Sequence, residues 1–466
     1  MKNQKLKYLA MDFLSAMLVW ICFFIFRRTF NDLRFATDVP FFVPSYNLWL
    51  SATFYPFLAI FIHYLSGFYN ANRSFSRVTE FLTTFISAFF ITLITYFVLL
   101  IDDVVVSYTF YYKSFLVLLT FQFVFTYIGR FYLTQQYYNR IKKGLIKSYT
   151  LIIGTGTLAQ KTTMEFNKKI RKYGNSIVGY VTLGHSTSQC EGPILGDIAQ
   201  VGNIIKNYNI HNVIIAIDKV SDVEIFKLIN DLIIYNVTIQ FPPSQFEILT
   251  GKIRIKDIDA SPFVTISEVS MPAWQQSFKR VFDIFCSIIA LILFLPFLAY
   301  IAVRIKKDSK GDVFYRQERI GKNGRPFNVL KLRTMYEDAE RNVPLLSSPD
   351  DERITPFGRF LRKNRIDEIP QFWNILKGEM SIVGPRPERL YFIRQIMERA
   401  PYYCLLYKIQ PGLLSWGPIK VGYSDSIDKM IERLNYDIIY MDNMTLLNDL
   451  KIIIYSLEVI FKGKGI

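Results

Sequence analysis

Histidine and cysteine are scarce in this chain. Three His and four Cys in 466 residues leave little from which to build a zinc or thiolate centre. Cys22, Cys190, Cys286 and Cys404 stand far apart, with no CxxC spacing and no histidine cluster beside them. A zinc site and a disulfide framework are therefore not indicated. Acidic residues are in deficit too: 39 Asp+Glu against 55 Lys+Arg give a formal net charge of +16, which suits a polyanion, an anionic lipid surface or a phosphorylated substrate. No nucleic-acid reading module accompanies the charge, so no nucleic-acid partner is expected. What is abundant is apolar. A hydrophobic content of 51%, an aromatic content of 16% and a mean hydropathy of +0.20 are too high for a wholly soluble chain of this length. Part of it belongs in a bilayer.

Four apolar stretches, each close to the ~20 residues a spanning helix needs, fill the N-terminal third: Tyr8 to Phe26, Leu48 to Phe68, Phe81 to Ile101 and Phe115 to Leu133. Residues 1–140 read as four transmembrane helices. Lys2, Lys5 and Lys7 before the first, Arg73 and Arg77 between the second and third, and Arg140, Lys142, Lys143 and Lys147 after the fourth mark the cytoplasmic flanks. The loop with Asp102 and Asp103 falls outside, although Arg27, Arg28 and Arg34 in the first outer loop weaken the contrast. The first stretch is long and lacks a small-residue cleavage site, so it is expected to stay as an anchor.

A fifth apolar run, Val281 to Ile305, carries basic flanks on both sides, Lys279 and Arg280 before it and Arg304, Lys306 and Lys307 after it, with Pro296 inside. Two readings remain open: a plain fifth span bent at the proline, or a helix over 279–306 that enters, kinks and returns to the same face. Between these regions, residues 148–255 alternate short β-rich runs (Tyr149 to Ile153, Ile177 to Thr182, Val213 to Ile217, Val237 to Phe241) with polar amphipathic stretches. That rhythm predicts an α/β Rossmann-like domain with a parallel sheet. The first run ends in Gly154-Thr155-Gly156-Thr157-Leu158-Ala159, the shape of a dinucleotide turn. The second ends without the Asp or Glu that would hold a ribose, and no Tyr-xxx-Lys pair follows. A structural or regulatory module is expected in preference to a working NAD site. His185 and His211 receive no ligand role.

The chemistry concentrates in the last third. Tyr315 to Gly324 reads as a turn between strands, and Phe327 to Met335 as a strand in which Lys331 and Arg333 share one face. Two cations at that spacing suit a diphosphate, and equally a solvated strand face. Asp367 and Glu368 precede Pro370, which is tolerated only in a first helical turn, so Asp367 is expected at or near an N-cap, with Gln371 and Asn374 continuing a polar stripe. Adjacent helical side chains diverge by about 100°, which gives the two carboxylates separate tasks. Alone, the pair is equally a capping Asp followed by a dipole-compatible Glu. Arg359, Arg362, Lys363 and Arg365 before it, and Arg386 and Arg389 after the Gly384-Pro385 turn, make the surroundings basic.

Lys279-Arg280-Val281-Phe282-Asp283, Phe327 to Met335, Asp367-Glu368-Ile369-Pro370-Gln371, Lys377 to Ser381 and Gly384-Pro385-Arg386-Pro387 stand in an order that resembles the bacterial sugar transferase family, the polyprenyl-phosphate hexose-1-phosphate transferases or large monotopic phosphoglycosyl transferases. The resemblance is specific over roughly the last 190 residues and architectural before that. It implies an α+β monotopic catalytic domain over 276–466 with a re-entrant helix, lying on the cytoplasmic face of the bacterial inner membrane. It implies transfer of a sugar 1-phosphate from a UDP-sugar to undecaprenyl phosphate with release of UMP, initiating O-antigen, capsule or exopolysaccharide synthesis. By the same carry-over Asp367 is the nucleophile and Glu368 helps hold Mg²⁺, with Asp367 and Glu368 as the metal-binding pair. Arg362 and Arg386 neutralise the phosphoryl charge, and Lys331, Arg333, Arg319 and Gln371 complete the expected substrate-binding set. Where relatives show Pro-Gly-Ile-Thr-Gly-Trp-Ala-Gln, this chain has Pro411-Gly412-Leu413-Leu414-Ser415-Trp416-Gly417-Pro418, which puts in doubt a sugar-recognition role for that loop. Ile427 to Phe461 reads as amphipathic helices. The large architecture is compatible with a homodimer. The rival reading is a non-catalytic membrane scaffold or regulator whose middle domain senses a nucleotide.

Overall fold

The computed structural model describes residues 2–32, 46–70, 77–102, 108–169, 174–183, 190, 192–218, 220–242, 263–265, 269–337, 339, 351–422 and 426–461. Arg34, Arg73, Asp103 and His185 lie outside the described residues.

The N-terminal apolar runs form helices α1 (Lys2–Asp32), α2 (Tyr46–Leu65), α3 (Arg77–Asp102) and α4 (Tyr108–Lys142). Gln4–Arg27, Arg77–Val98 and Tyr111–Lys142 are long and apolar enough to cross a bilayer, whereas the apolar part of α2, Ala52–Leu65, is shorter. The expected second span to Phe68 stops early because the chain turns at Ser66 to Asn70, with Gly67 at φ +80°. Polar side chains join the helices inside the bundle. Asp12 of α1 accepts from Arg130 Nε (3.0 Å) and Nη2 (2.8 Å) of α4 and from the Tyr69 hydroxyl (2.6 Å). Arg130 also donates to Thr84 of α3 (2.9 Å) and lies over the Phe68 ring at 3.7 Å. In a lipid-facing bundle such groups must be satisfied internally, and their geometry fixes the helix register.

The middle domain is a sheet of order β3-β2-β1-β4-β5-β6, built from β1 (Ser148–Ile153), β2 (Asn175–Thr182), β3 (Ile194–Asp197), β4 (Asn212–Ile215), β5 (Thr238–Phe241) and β6 (Val264–Thr265). All neighbours are parallel except β5 and β6. The central β1 is buried over its last four residues, and that explains its uninterrupted apolar run. Helices α5 (Thr157–Lys169), α6 (Val201–Asn207) and α7 (Asp222–Ile233) cover the sheet. A capping box starts α7: Ser221 Oγ accepts from the Glu224 amide, and the Glu224 carboxylate accepts from the Ser221 amide. The apolar face of α7, with Leu228, Ile229 and Leu232, shares one core with Tyr403, Cys404 and Tyr407 of the C-terminal region.

Helix α8 (Ala273–Asp308) runs 36 residues with Pro296 inside and is also long and apolar enough to cross a bilayer. Both of its ends are tied to the same domain. Near the start, Lys279 Nζ donates to the Val383 carbonyl (2.8 Å) and pairs with Asp449 (2.6 Å), Arg280 donates to the carbonyls of Ile375 (2.7 Å) and Leu376 (2.8 Å), and Asp283 accepts from Ser381 Oγ (2.8 Å) and the Ile382 amide (3.0 Å). Near the end, Ile301 and Ile305 pack with Leu332 and Leu361. The stretch between exposes Phe285, Ile292, Leu293, Leu295 and Tyr300.

After α8, β7 (Phe314–Ile320) and β8 (Pro326–Leu332) form an antiparallel hairpin. The segment expected as a turn is thus mostly strand, and the reversal occupies only Gly321 to Arg325, where Asn323 (φ +59°) and Gly324 (φ +67°) take left-handed conformations. Helices α9 (Pro356–Lys363), α10 (Gln371–Lys377), α11 (Leu390–Arg399), α12 (Trp416–Val421), α13 (Ile427–Asp442) and α14 (Leu446–Phe461), with the parallel pair β9 (Ser381–Val383) and β10 (Gly412–Leu414), complete the domain.

Candidate functional site

Thr355 caps α9 through the Gly358 amide (3.0 Å), with Pro356 at its first position, and the helix ends at Lys363. Arg365 then adopts φ +54°, a left-handed turn costing about 1 kcal/mol or more in a residue with a side chain. The chain is redirected into a single 3₁₀ turn, Ile366–Glu368. Both carboxylates sit on that turn. The expected N-cap role for Asp367 is corrected here, because α10 begins at Gln371 with Pro370 in the cap position. Helix α10 is nevertheless firmly held: the Asn374 side chain accepts from the Leu330 amide (3.0 Å) and donates to the Asn328 carbonyl (2.7 Å) and Glu379 (2.7 Å). Asn374 thereby locks the carboxylate turn against β8, and Gln371 is buried beside it on the first turn.

Asp367 and Glu368 are 8% and 7% exposed. Glu368 Oε1 accepts from Lys331 Nζ of β8 (3.1 Å) and Arg386 Nη2 (2.9 Å), and Oε2 accepts from Arg365 (3.4 Å). Burial alone would raise the Glu368 carboxyl, but Arg386, Lys331 and Arg365 outweigh it and hold the group well below the usual carboxylate range. Asp367 accepts no hydrogen bond from a described residue. Burial pushes it up to about 6, with Lys331, Arg362 and Arg386 pulling the other way and Glu368 adding to the rise. Burial likewise lowers the Lys331 ammonium, with Glu368 opposing. The Glu368 carboxylate raises the Arg386 guanidinium. The result is an ionised, cation-wrapped Glu368 beside a buried Asp367 poised to gain or lose a proton near neutrality.

The other expected site residues divide. Arg362, oriented by Thr334 Oγ1 (2.8 Å), contributes its charge to Asp367. Arg319 braces the turn that carries Arg386: it donates to the Pro387 carbonyl (2.9 Å), to Glu388 (3.0 Å) and to Gln317 (2.7 and 3.0 Å). Arg333 does not share the Lys331 face. β8 closes at Leu332, and the Arg333 guanidinium turns to the end of α8, donating to the carbonyls of Lys310 (2.6 Å) and Ser309 (2.7 Å). The sequence reading missed Thr334, Glu388, Arg433 and Asp437. Glu388 follows the Gly384–Pro387 turn directly, a signal within reach. Arg433 and Asp437 stand one turn apart on α13 and look like an ordinary solvated pair.

For a metal, the described residues contain no group of three or more His, Cys, Asp or Glu. The pair offers only hard oxygen, which suits Mg²⁺ with substrate phosphates supplying further ligands. Asp367, short of donors, fits that task. Glu368 fits less well, since both of its oxygens already accept from cations.

In the middle domain, the helix start facing the glycine turn is filled from within. Asp218 Oδ1 accepts from Thr157 Oγ1 (2.5 Å) and the Leu158 amide (2.9 Å), and a Cβ on Gly156 would fall 1.8 Å from Asp218 Oδ2. These hydrogen bonds, led by that of Thr157, hold Asp218 below the usual carboxylate range. A carboxylate of the chain stands where a nucleotide phosphate would sit.

Residues 274–463 match the family described as bacterial sugar transferase, and residues 64–243 match a family described as CoA-binding domain. The chain is 34% identical over 219 residues to the UDP-N-acetylgalactosamine-undecaprenyl-phosphate N-acetylgalactosaminephosphotransferase of Aeromonas hydrophila, covering 47% of this chain and 51% of the relative. It is 32% identical over 270 residues to the UDP-glucose:undecaprenyl-phosphate glucose-1-phosphate transferase of Escherichia coli K12, covering 58% of each. A protein of the same description from Caulobacter vibrioides is 37% identical over 178 residues, 38% of this chain and 67% of the relative. The chain spans little more than half the length of the first two.

Proposed function

The chain belongs to the bacterial sugar transferase family, and on that premise we propose that it transfers a sugar 1-phosphate from a UDP-sugar to undecaprenyl phosphate, with UMP as the leaving product. The observation that carries the reading is the asymmetric carboxylate pair: Asp367 with no hydrogen-bond donor among the described residues, raised to about 6, beside Glu368 wrapped by Lys331, Arg386 and Arg365.

In the proposed reaction an oxygen of ionised Asp367 attacks the sugar-bearing phosphorus of the donor. The P–O bond to the uridylyl phosphate breaks, its electron pair leaves on UMP, and the sugar phosphate stays as an acyl phosphate on Asp367. An oxygen of undecaprenyl phosphate then attacks the same phosphorus and frees the carboxylate. Arg386, Lys331 and Arg362 neutralise the phosphoryl oxygens, without which one anion does not approach another. Mg²⁺, held by Asp367 with Glu368 nearby and by the donor phosphates, would supply further charge neutralisation when bound.

The tied ends of α8 support the re-entrant reading. Lys279, Arg280 and Asp283 at one end and Ile301 and Ile305 at the other meet the same domain, while the apolar stretch around Pro296 stays exposed. Such a helix dips into one leaflet and holds Asp367 at the cytoplasmic surface of the inner membrane, within reach of a lipid phosphate.

The test is UMP release from membranes incubated with a panel of UDP-sugars and undecaprenyl phosphate. One donor should support turnover that Asp367→Asn abolishes. Undiminished turnover in that variant removes Asp367 from the reaction, and silence with every donor removes the function.

A further inference from the structure

On the transferase reading, Arg386 is worth only as much as the turn that aims it. That turn, Gly384 to Glu388, is held on both flanks by one helix, α13. On the first flank, β10 runs parallel to β9, with Leu414 O accepting from the Gly384 amide (2.9 Å) and Pro385 O from the Gly412 amide (2.9 Å). The strands approach so closely that a Cβ on Gly412 would fall 2.1 Å from the Gly384 nitrogen. Directly after β10, Asp437 of α13 accepts from Ser415 Oγ (2.6 Å) and the Gly417 amide (3.2 Å). On the second flank, Glu388 accepts from Arg433 of the same helix (3.2 Å) and from Arg319 (3.0 Å). Arg433 and Asp437 are four residues apart, on one face of α13, so the helix grips both sides of the turn at once.

We infer that Asp437 is a positioning residue for donor binding: it anchors Ser415 and Gly417, and through β10 it sets the turn that presents Arg386 to the donor phosphates. Asp437 is only 4% exposed. A buried carboxylate is costly unless its hydrogen bonds are made, and both of the donors it draws on, Ser415 just before α12 and Gly417 in its first turn, lie directly after β10. The Ser415 hydroxyl, at 2.6 Å against 3.2 Å for the Gly417 amide, is the more direct of the two handles on Asp437. Cations on α13 and β7 stabilise Glu388, so the two anchors act on one turn from opposite sides.

The experiment is steady-state UMP release by the full chain in membranes, varying UDP-sugar and undecaprenyl phosphate separately, for the wild type, Asp437→Asn, Ser415→Ala and Arg386→Lys. Asp437→Asn should raise the KM for the UDP-sugar about tenfold, the scale of one charged hydrogen bond, and leave the KM for undecaprenyl phosphate unchanged. Ser415→Ala should move the same constant in the same direction by less. In the Arg386→Lys background Asp437→Asn should add little, because both changes act through one guanidinium. Equal shifts in both KM values, or losses that multiply in the double variant, overturn the inference and reduce Asp437 to a fold residue. A wild type that turns over normally beside an Asp437→Asn variant with wild-type donor KM overturns it as well. A wild type silent with every donor sinks the transferase reading instead.

Discussion

Glu368 takes three cationic partners, and Asp367, its neighbour in the chain, takes no hydrogen bond from a described residue. The 3₁₀ turn points the two carboxylates into different surroundings, so one is held ionised while the other is raised to about 6 by burial. Two acids of nearly equal intrinsic strength are thereby given different work.

Activity should follow the protonation of Asp367. A raised pKa means that the neutral form, which cannot attack phosphorus, persists to higher pH than in a free carboxyl. UMP release should fall as pH drops through about 6 and level off above it. A profile flat from pH 5 to pH 8, at about one unit on the acid side and two on the alkaline side of that value, would contradict the assignment.

The acid limb should move in opposite directions in two variants. Glu368→Gln removes the negative neighbour that raises Asp367, so the limb shifts to lower pH. Arg386→Met removes a cation that lowers it, so the limb shifts to higher pH. Both are read from the pH dependence of single-turnover UMP release, whatever the residual rate.

Arg333→Met should cost stability and spare donor affinity. The guanidinium donates to two main-chain carbonyls at the end of α8, and losing charged hydrogen bonds of this kind costs about 2–3 kcal/mol. Detergent-solubilised protein should unfold at lower temperature while the donor KM stays near the wild-type value. A large donor KM change without destabilisation would return Arg333 to the substrate.

In the N-terminal bundle, Asp12→Asn leaves the Arg130 charge, fully buried, without its counter-ion. Breaking a buried pair from one side costs about 3–5 kcal/mol. Asp12→Leu combined with Arg130→Met should recover much of that loss, as judged by thermal unfolding and by the yield of folded protein.

Much of this was legible from the residues. The β1, β2, β4 and β5 runs stood out because a buried parallel sheet writes continuous apolar segments, while β3 and β6, short and at the edges, leave no such trace. The carboxylate pair and the cations Lys331 and Arg386 stood out by type and spacing, and the structure brings them together. Arg333 could not, because period-two reasoning holds only while the strand lasts, and β8 ends one residue earlier. The 3₁₀ turn was hidden by Arg365, whose left-handed backbone nothing in the local sequence announces. Asp437 acts on Arg386 from about fifty residues away, through a hydrogen bond to the loop after β10, and only the folded chain brings them together. The glycine turn of the middle domain reads as a phosphate cradle in sequence, yet Asp218, some sixty residues on, already occupies it.

The account stands on a covalent stage at Asp367, and peptide mass spectrometry addresses it directly. Protein incubated with its UDP-sugar and Mg²⁺ but without undecaprenyl phosphate, then quenched, should carry one sugar phosphate on the peptide containing Asp367, matched by one equivalent of UMP and lost on adding the lipid acceptor. UMP release that requires the acceptor from the first turnover, with that peptide unmodified, would contradict it.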